Sequence, residues 1–154
     1  MSGDFVPRML RTFLSKSHVW QKPQTFLTSA GKKKAVSASF TVGTEAANVI
    51  NVAVQLKSHD GSDIAYRAGM PIYLSSDANG DTIEGSGPDS WAIGTDGILL
   101  PDGGDSLISG VVISESDGDI DINMTHAGAD TFYLNVVVDG VVYTSGAITF
   151  DETT

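Results

Sequence analysis

From residue 35 onward, six Asp-Gly or Asn-Gly dipeptides punctuate the chain, at 60–61, 79–80, 96–97, 102–103, 117–118 and 139–140. Such pairs supply the positive φ that tight hairpin turns require. Between them lie short runs in which apolar residues recur at every second position, the period of a half-buried strand. Val36, Ala38, Phe40 and Val42 alternate with Ala35, Ser37, Ser39 and Thr41. In 49–57, Ile50, Val52, Val54 and Leu56 form the better core face. Further runs span 63–68, 70–75, 98–100, 107–114, 119–125, 131–138 and 141–150. Pro71 suits an edge position or a strand start. The clearest hairpin joins 131–138 to 141–150 through Asp139-Gly140, pairing Val138 with Val141 and Val136 with Tyr143. No stretch after residue 35 has helix period. The expected fold class is therefore all-β, an antiparallel immunoglobulin-like β-sandwich, with a small barrel as the alternative.

The formal net charge of −10 hides two opposite parts. Residues 1–34 hold seven of the nine basic residues and one acid, a net +6; residues 35–154 hold Lys57 and Arg67 against the other 18 acids, a net −16. This places a boundary near Gly31–Ala35, between a basic arm (1–34) and an acidic domain (35–154). In the arm the apolar pairs Phe5/Val6, Met9/Leu10 and Phe13/Leu14 recur every four residues, predicting a short amphipathic helix with Arg8, Arg11 and Lys16 beside its apolar face. About ten helical residues are marginal alone in water, so this segment needs something to pack on. Lys22-Pro23 ends it, and 24–34 reads as an extended tether closing on Lys32-Lys33-Lys34.

The 154 residues include no cysteine, which excludes thiolate nucleophiles, iron–sulfur sites and disulfide scaffolds. No apolar run reaches the roughly 18 residues of a membrane span, and no charged start leads into an apolar stretch as in a signal peptide. Gly104-Asp105-Ser106-Leu107 matches the short signature of the GDSL esterases, but no Asp-x-x-His follows; the one later histidine, His126, is preceded by Asn123. A serine without a base is only a hydroxyl. His18, His59 and His126 have no metal-ligand spacing. Asp77-x-Asn79-Gly80-Asp81 resembles the start of a calcium loop, yet Thr82 stands at the sixth position and Pro88 at the twelfth. Asp119, Asp121 and Asn123 share one strand face, the ordinary outward one. No catalytic residue, metal ligand or cofactor is assigned. The domain's −16 opposes binding to nucleic acid, and no recognition helix or basic aromatic platform is present.

Residues 54–150 resemble a β-domain of tailed-bacteriophage virion proteins. The resemblance is carried by Ile64-Ala65-Tyr66-Arg67-Ala68, 73–81 (YLSSDANGD), 91–97 (WAIGTDG), 115–122 (ESDGDIDI) and Ser145-Gly146-Ala147-Ile148-Thr149-Phe150. It implies a structural virion component without enzyme activity. One such module behind a basic arm is most similar to a head decoration (cement) protein, made in the host cytoplasm and carried on the outer surface of the head. The expected partners are the major capsid protein and neighbouring copies, a trimer by analogy with other decoration proteins, with neither nucleic acid nor membrane as a partner. The expected contact residues are Arg8, Met9, Leu10, Arg11, Phe13, Leu14, Lys16, Trp20, Lys32, Lys33 and Lys34. The alternative is a host-surface or glycan-binding module of a tail or fibre, using loop 77–91, with Trp91 either in that contact or in the core.

Overall fold

A computed structural model describes residues 31–101 and 107–152. Ten strands follow in order: β1 (Ala35–Val42), β2 (Val49–Ser58), β3 (Gly69–Ser75), β4 (Ser90–Ile93), β5 (Ile98–Leu100), β6 (Ser109–Ile113), β7 (Asp119–Thr125), β8 (Thr131–Val138), β9 (Val141–Thr144) and β10 (Ile148–Thr149). No helix occurs among the described residues. One sheet has the order β1-β2-β7-β4; the other runs β10-β8-β3-β6-β5, with β9 also on β8. All the strand pairings are antiparallel. The two sheets pack as an immunoglobulin-like β-sandwich.

Alternation decides what lies between the sheets. Ile50, Val52, Val54 and Leu56 of β2 and Ile120, Ile122 and Met124 of β7 are buried, as are Ile72 and Leu74 of β3 and Leu134, Val136 and Val138 of β8. A one-residue slip in β2 or β7 would bring Asn51, Gln55, Asp119 and Asp121 inside, so the burial pattern holds the register. The β8–β9 hairpin forms as its sequence dictates: Val138 faces Val141 and Val136 faces Tyr143. Asp139 and Gly140 take φ of 52° and 79°, the two left-handed positions of a two-residue turn.

Four local features depart from the sequence pattern. Segment 63–68 is not a strand. After a single bridge from Lys57 to Asp63 it carries the chain from one sheet to the other, with Ile64 and Ala68 buried on the way. Run 141–150 divides into β9 and β10 because its register on β8 shifts: Thr144 faces Asn135, whereas Ile148 faces Phe132. At the shift the Leu134 N–H donates to Ser145 Oγ (3.0 Å), while Ser145 N–H donates to the Leu134 carbonyl (2.8 Å). A serine hydroxyl thus serves as a ladder acceptor. Pro71 lies in β3, between β6 and β8, rather than on an edge. Leu74 N–H donates to the Ile108 carbonyl on the β6 side, so odd-numbered residues of β3 turn toward β8; that ladder starts only at Ile72, and the missing proline donor costs no ladder bond. Finally, Ala47 and Asn48, at φ of 51° and 65°, make a tight turn closed by two hydrogen bonds between Ala46 and Val49. No glycine marks that turn in the sequence.

Candidate functional site

The predicted arm helix and contact residues Arg8, Met9, Leu10, Arg11, Phe13, Leu14, Lys16 and Trp20 lie outside the described residues, as do Gly104, Asp105 and Ser106 of the GDSL match. The last three basic residues of the arm are described, and each meets the sandwich. Lys32 Nζ sits 6.0 Å from the Tyr66 ring centroid. Lys33 pairs with Asp60 and lies 3.3 Å from Ser62 Oγ. Lys34 pairs with Asp139 at the β8–β9 turn. Next to them Ala35 N–H donates to the Tyr66 hydroxyl (3.0 Å), and the Tyr143 hydroxyl donates to the Val36 carbonyl (2.8 Å). Lys33 is the chief cause that holds the Asp60 carboxyl well below its ordinary range, followed by the Ser58 and Ser62 hydroxyls. The final residues of the tether are therefore laid along the body, and the chain enters β1 at a fixed corner.

The two outward sheet faces differ in chemistry. On the four-stranded sheet the outward positions are mostly polar, with Asp119 and Asp121 among them. Asn51 Nδ2 donates to Asn123 Oδ1 (2.9 Å), Thr95 donates to Asp121, and Gln55 Nε2 donates to the Asp117 carbonyl (2.9 Å). Burial pushes the Asp119 carboxyl above its ordinary value, reinforced by Asp121, Asp96 and Asp117 and partly offset by the Ile120 N–H.

On the six-stranded sheet the outward strand positions carry no charge. Leu100, Val111 and Pro71 stand in register across β5, β6 and β3, and Val137 and Val142 continue the row on β8 and β9. Leu100 is 53% exposed, Val111 and Val142 are each 42% exposed, and Ile98 is 40% exposed. The sequence does carry a signal for this face. Runs 98–100, 111–113, 136–138 and 141–142 are apolar at successive positions, a pattern expected of strands covered on both sides. Here the described residues leave part of the outer side open.

Acids border that face. At one end loop 76–82 folds over it. Asp77 Oδ1 accepts from the N–H groups of Asn79 (2.7 Å) and Gly80 (2.9 Å), and Oδ2 from Thr82 N–H (2.7 Å). The Thr82 hydroxyl, joined by these amides, holds the Asp77 carboxyl down at about 2 against the opposing effect of burial. The carboxylate that opened the calcium-like pattern is thus taken up by its own loop. The Tyr73 hydroxyl donates to the Gly80 carbonyl, and burial, then Asp77 and Asp81, push its pKa up. Behind the loop, Asn135 Nδ2 donates to Ser75 Oγ (2.8 Å) and Thr144 Oγ1 to Asn135 Oδ1 (2.7 Å). At the other end stand Asp139 and the Arg67–Glu115 pair.

Trp91 is 0% exposed and belongs to the core, so loop 77–91 presents no tryptophan to a ligand. His59 is exposed. His126 Nε2 lies 2.8 Å from Asp130 Oδ2, its Nδ1 lies 3.6 Å from Asp89 Oδ1, and its ring packs edge-on against Phe132 and Phe150. That histidine closes one end of the sandwich between two aspartates, and among the described residues no hydroxyl is hydrogen-bonded to it. No group of three or more His, Asp or Glu side chains arranged to hold a metal ion occurs among the described residues.

No protein-family model matches the chain, and no curated protein is significantly similar to it.

Proposed function

We propose that this chain is a structural protein of a tailed-phage particle, a decoration (cement) protein that attaches to the outer surface of the head through its N-terminal arm. In this reading the major capsid protein and neighbouring copies, grouped as trimers, are its partners. No cofactor or catalytic step is involved. The observation that carries the reading is the division of the chain into a net +6 arm and a net −16 sandwich, with Lys33 and Lys34 fastening the base of the arm to the body. A body of that charge repels its copies over roughly the 8 Å Debye length of physiological salt. The arm has the opposite sign and its own apolar residues, and a particle with many sites makes weak single contacts sufficient. The glycan-binding alternative loses support from the burial of Trp91.

Co-sedimentation of the full-length protein with emptied heads tests the reading. Binding should be stoichiometric and should persist in 1 M salt, because a fully buried Leu or Phe contributes about 1.5–3 kcal/mol, more than an exposed ion pair. Leu10→Asp should weaken it by about tenfold or more. Equal binding by Leu10→Asp would remove the arm's role; no binding by the unaltered protein would remove the capsid role.

A further inference from the structure

The row Leu100, Val111, Pro71, Val137 and Val142 leaves an apolar strip open to water on a strongly acidic body. The same chain holds a second surface of matching character. Residues 5–14 place Phe5, Val6, Met9, Leu10, Phe13 and Leu14 on one predicted face, with Arg8 and Arg11 beside it. We propose that in the free protein residues 5–14 seat on the uncharged outer face of the six-stranded sheet of their own molecule.

Size, reach and charge agree with this seating. Five strand positions at about 4.8 Å spacing give a strip about 19 Å wide. A ten-residue helix is about 15 Å long and about 10 Å across, so one such helix fills the strip. The base of the arm is fixed at Lys34 on Asp139, in the turn that leads to Val142, at one corner of the face. With Lys32 and Lys33 laid on Tyr66 and Asp60, residues 15–31 remain as tether and span at most about 56–61 Å when extended, about three times the width of the face. A tether of this length holds the segment at an effective concentration of order millimolar, which favours the chain's own face over a neighbour's. Asp81 stands at one end of the strip with the sign that Arg8, Arg11 and Lys16 complement, while Asp77 and Asp139 beside it already hold partners of their own. A second copy's face would bring two bodies of −16 together instead.

This inference is independent of the capsid reading, because it concerns the isolated chain. It states where the apolar arm residues lie before attachment.

The chain lacks cysteine, so a pair of introduced thiols has one possible partner each. In the full-length double variant F13C/V111C, mild oxidation should give an internal disulfide. It should form at least tenfold faster than in the control F13C/A53C, whose second site lies on the opposite sheet, and at a rate unchanged by dilution. A nitroxide on the single variant F13C reads the same contact without altering the face; it should broaden the amide resonances of residues 109–113 and spare those of 51–55. Equal rates in both pairs, a rate that scales with concentration, dimers of V111C alone, or no selective broadening would each overturn the proposal. Failure to bind heads would leave these results unchanged, so the two readings fall separately.

Discussion

Lys34 and Asp139, 105 positions apart in the sequence, form an ion pair at the tip of the β8–β9 hairpin. Both side chains are about half exposed. The pair therefore directs the chain more than it stabilises the fold. Together with Lys33–Asp60 just past the end of β2, it fixes the corner at which the arm leaves the sandwich, between the ends of the two sheets.

Lys34→Ala should consequently leave the sandwich nearly as stable as before. An exposed pair contributes about 0–1 kcal/mol, which for a chain of this size moves Tm by at most about 4 °C. Hydrogen exchange at residues 31–36 should rise, and the difference from the unaltered protein should shrink in 1 M salt. A fall in Tm well beyond that range would mean that the basic segment is part of the folded core.

Gly80 is a test of the loop that borders the face. Its φ is +77°, and an added Cβ would stand 2.3 Å from Asn135 Oδ1 and 2.9 Å from Thr144 Oγ1. Gly80→Ala should cost about 2–4 kcal/mol, combining left-handed strain with overpacking of that polar knot. Gly61 has φ of +80° with nothing within 4 Å of its Cβ position, so Gly61→Ala should cost about 1–2 kcal/mol, the backbone share alone. Urea denaturation of the two variants separates these contributions. Equal losses would contradict the packing of loop 76–82 on Asn135.

Two aspartates should act on acid stability with opposite signs. The Asp77 carboxyl is held down at about 2, so the unfolded chain binds its proton first. Its contribution is complete above the ordinary aspartate value near 4 and is lost as pH falls toward about 2. Asp77→Asn should flatten the stability curve in that window. Asp119 is pushed up, so its stabilising protonated form is lost as pH rises above the ordinary value. Asp119→Asn should raise stability at pH 7 and leave it nearly unchanged at pH 3. Denaturation midpoints from pH 2 to 7 check both; a parallel offset of either curve at every pH would contradict the account.

Much of the sandwich was legible because burial on one face writes period two into the sequence. Segments 98–100, 119–125 and 131–138 coincide with β5, β7 and β8, and the Asp139-Gly140 turn fixes its hairpin pairs. What was not legible depends on contacts distant in sequence. Segment 63–68 alternates like a strand, but it crosses between sheets, hydrogen-bonding to Leu56 at its start and to Ser114 at its end without a continuous ladder. Ser145 reads as one more strand residue until Leu134 supplies the N–H that its hydroxyl accepts. The left-handed Ala47 is set by the two hydrogen bonds between Ala46 and Val49, not by its own preference. For the candidate site, the charge division could be read directly, whereas the sequence presents Lys32, Lys33 and Lys34 as the end of a tether and as partner contacts, and their seating on Tyr66, Asp60 and Asp139 depends on residues distant in sequence. The uncharged face could not, because apolar residues at successive positions announce strands buried on both sides, and only the sheet order reveals which side stays open.

The central claim is that the arm attaches a projecting sandwich to the head. A cryo-EM map of the intact particle at side-chain resolution tests it most directly. The account predicts density for this chain on the outer shell, with Met9, Leu10, Phe13 and Leu14 buried against the capsid or a neighbouring copy and with few contacts between sandwiches. Residues 5–14 open to solvent on the particle, or a shell that carries no copy of the chain, would contradict it.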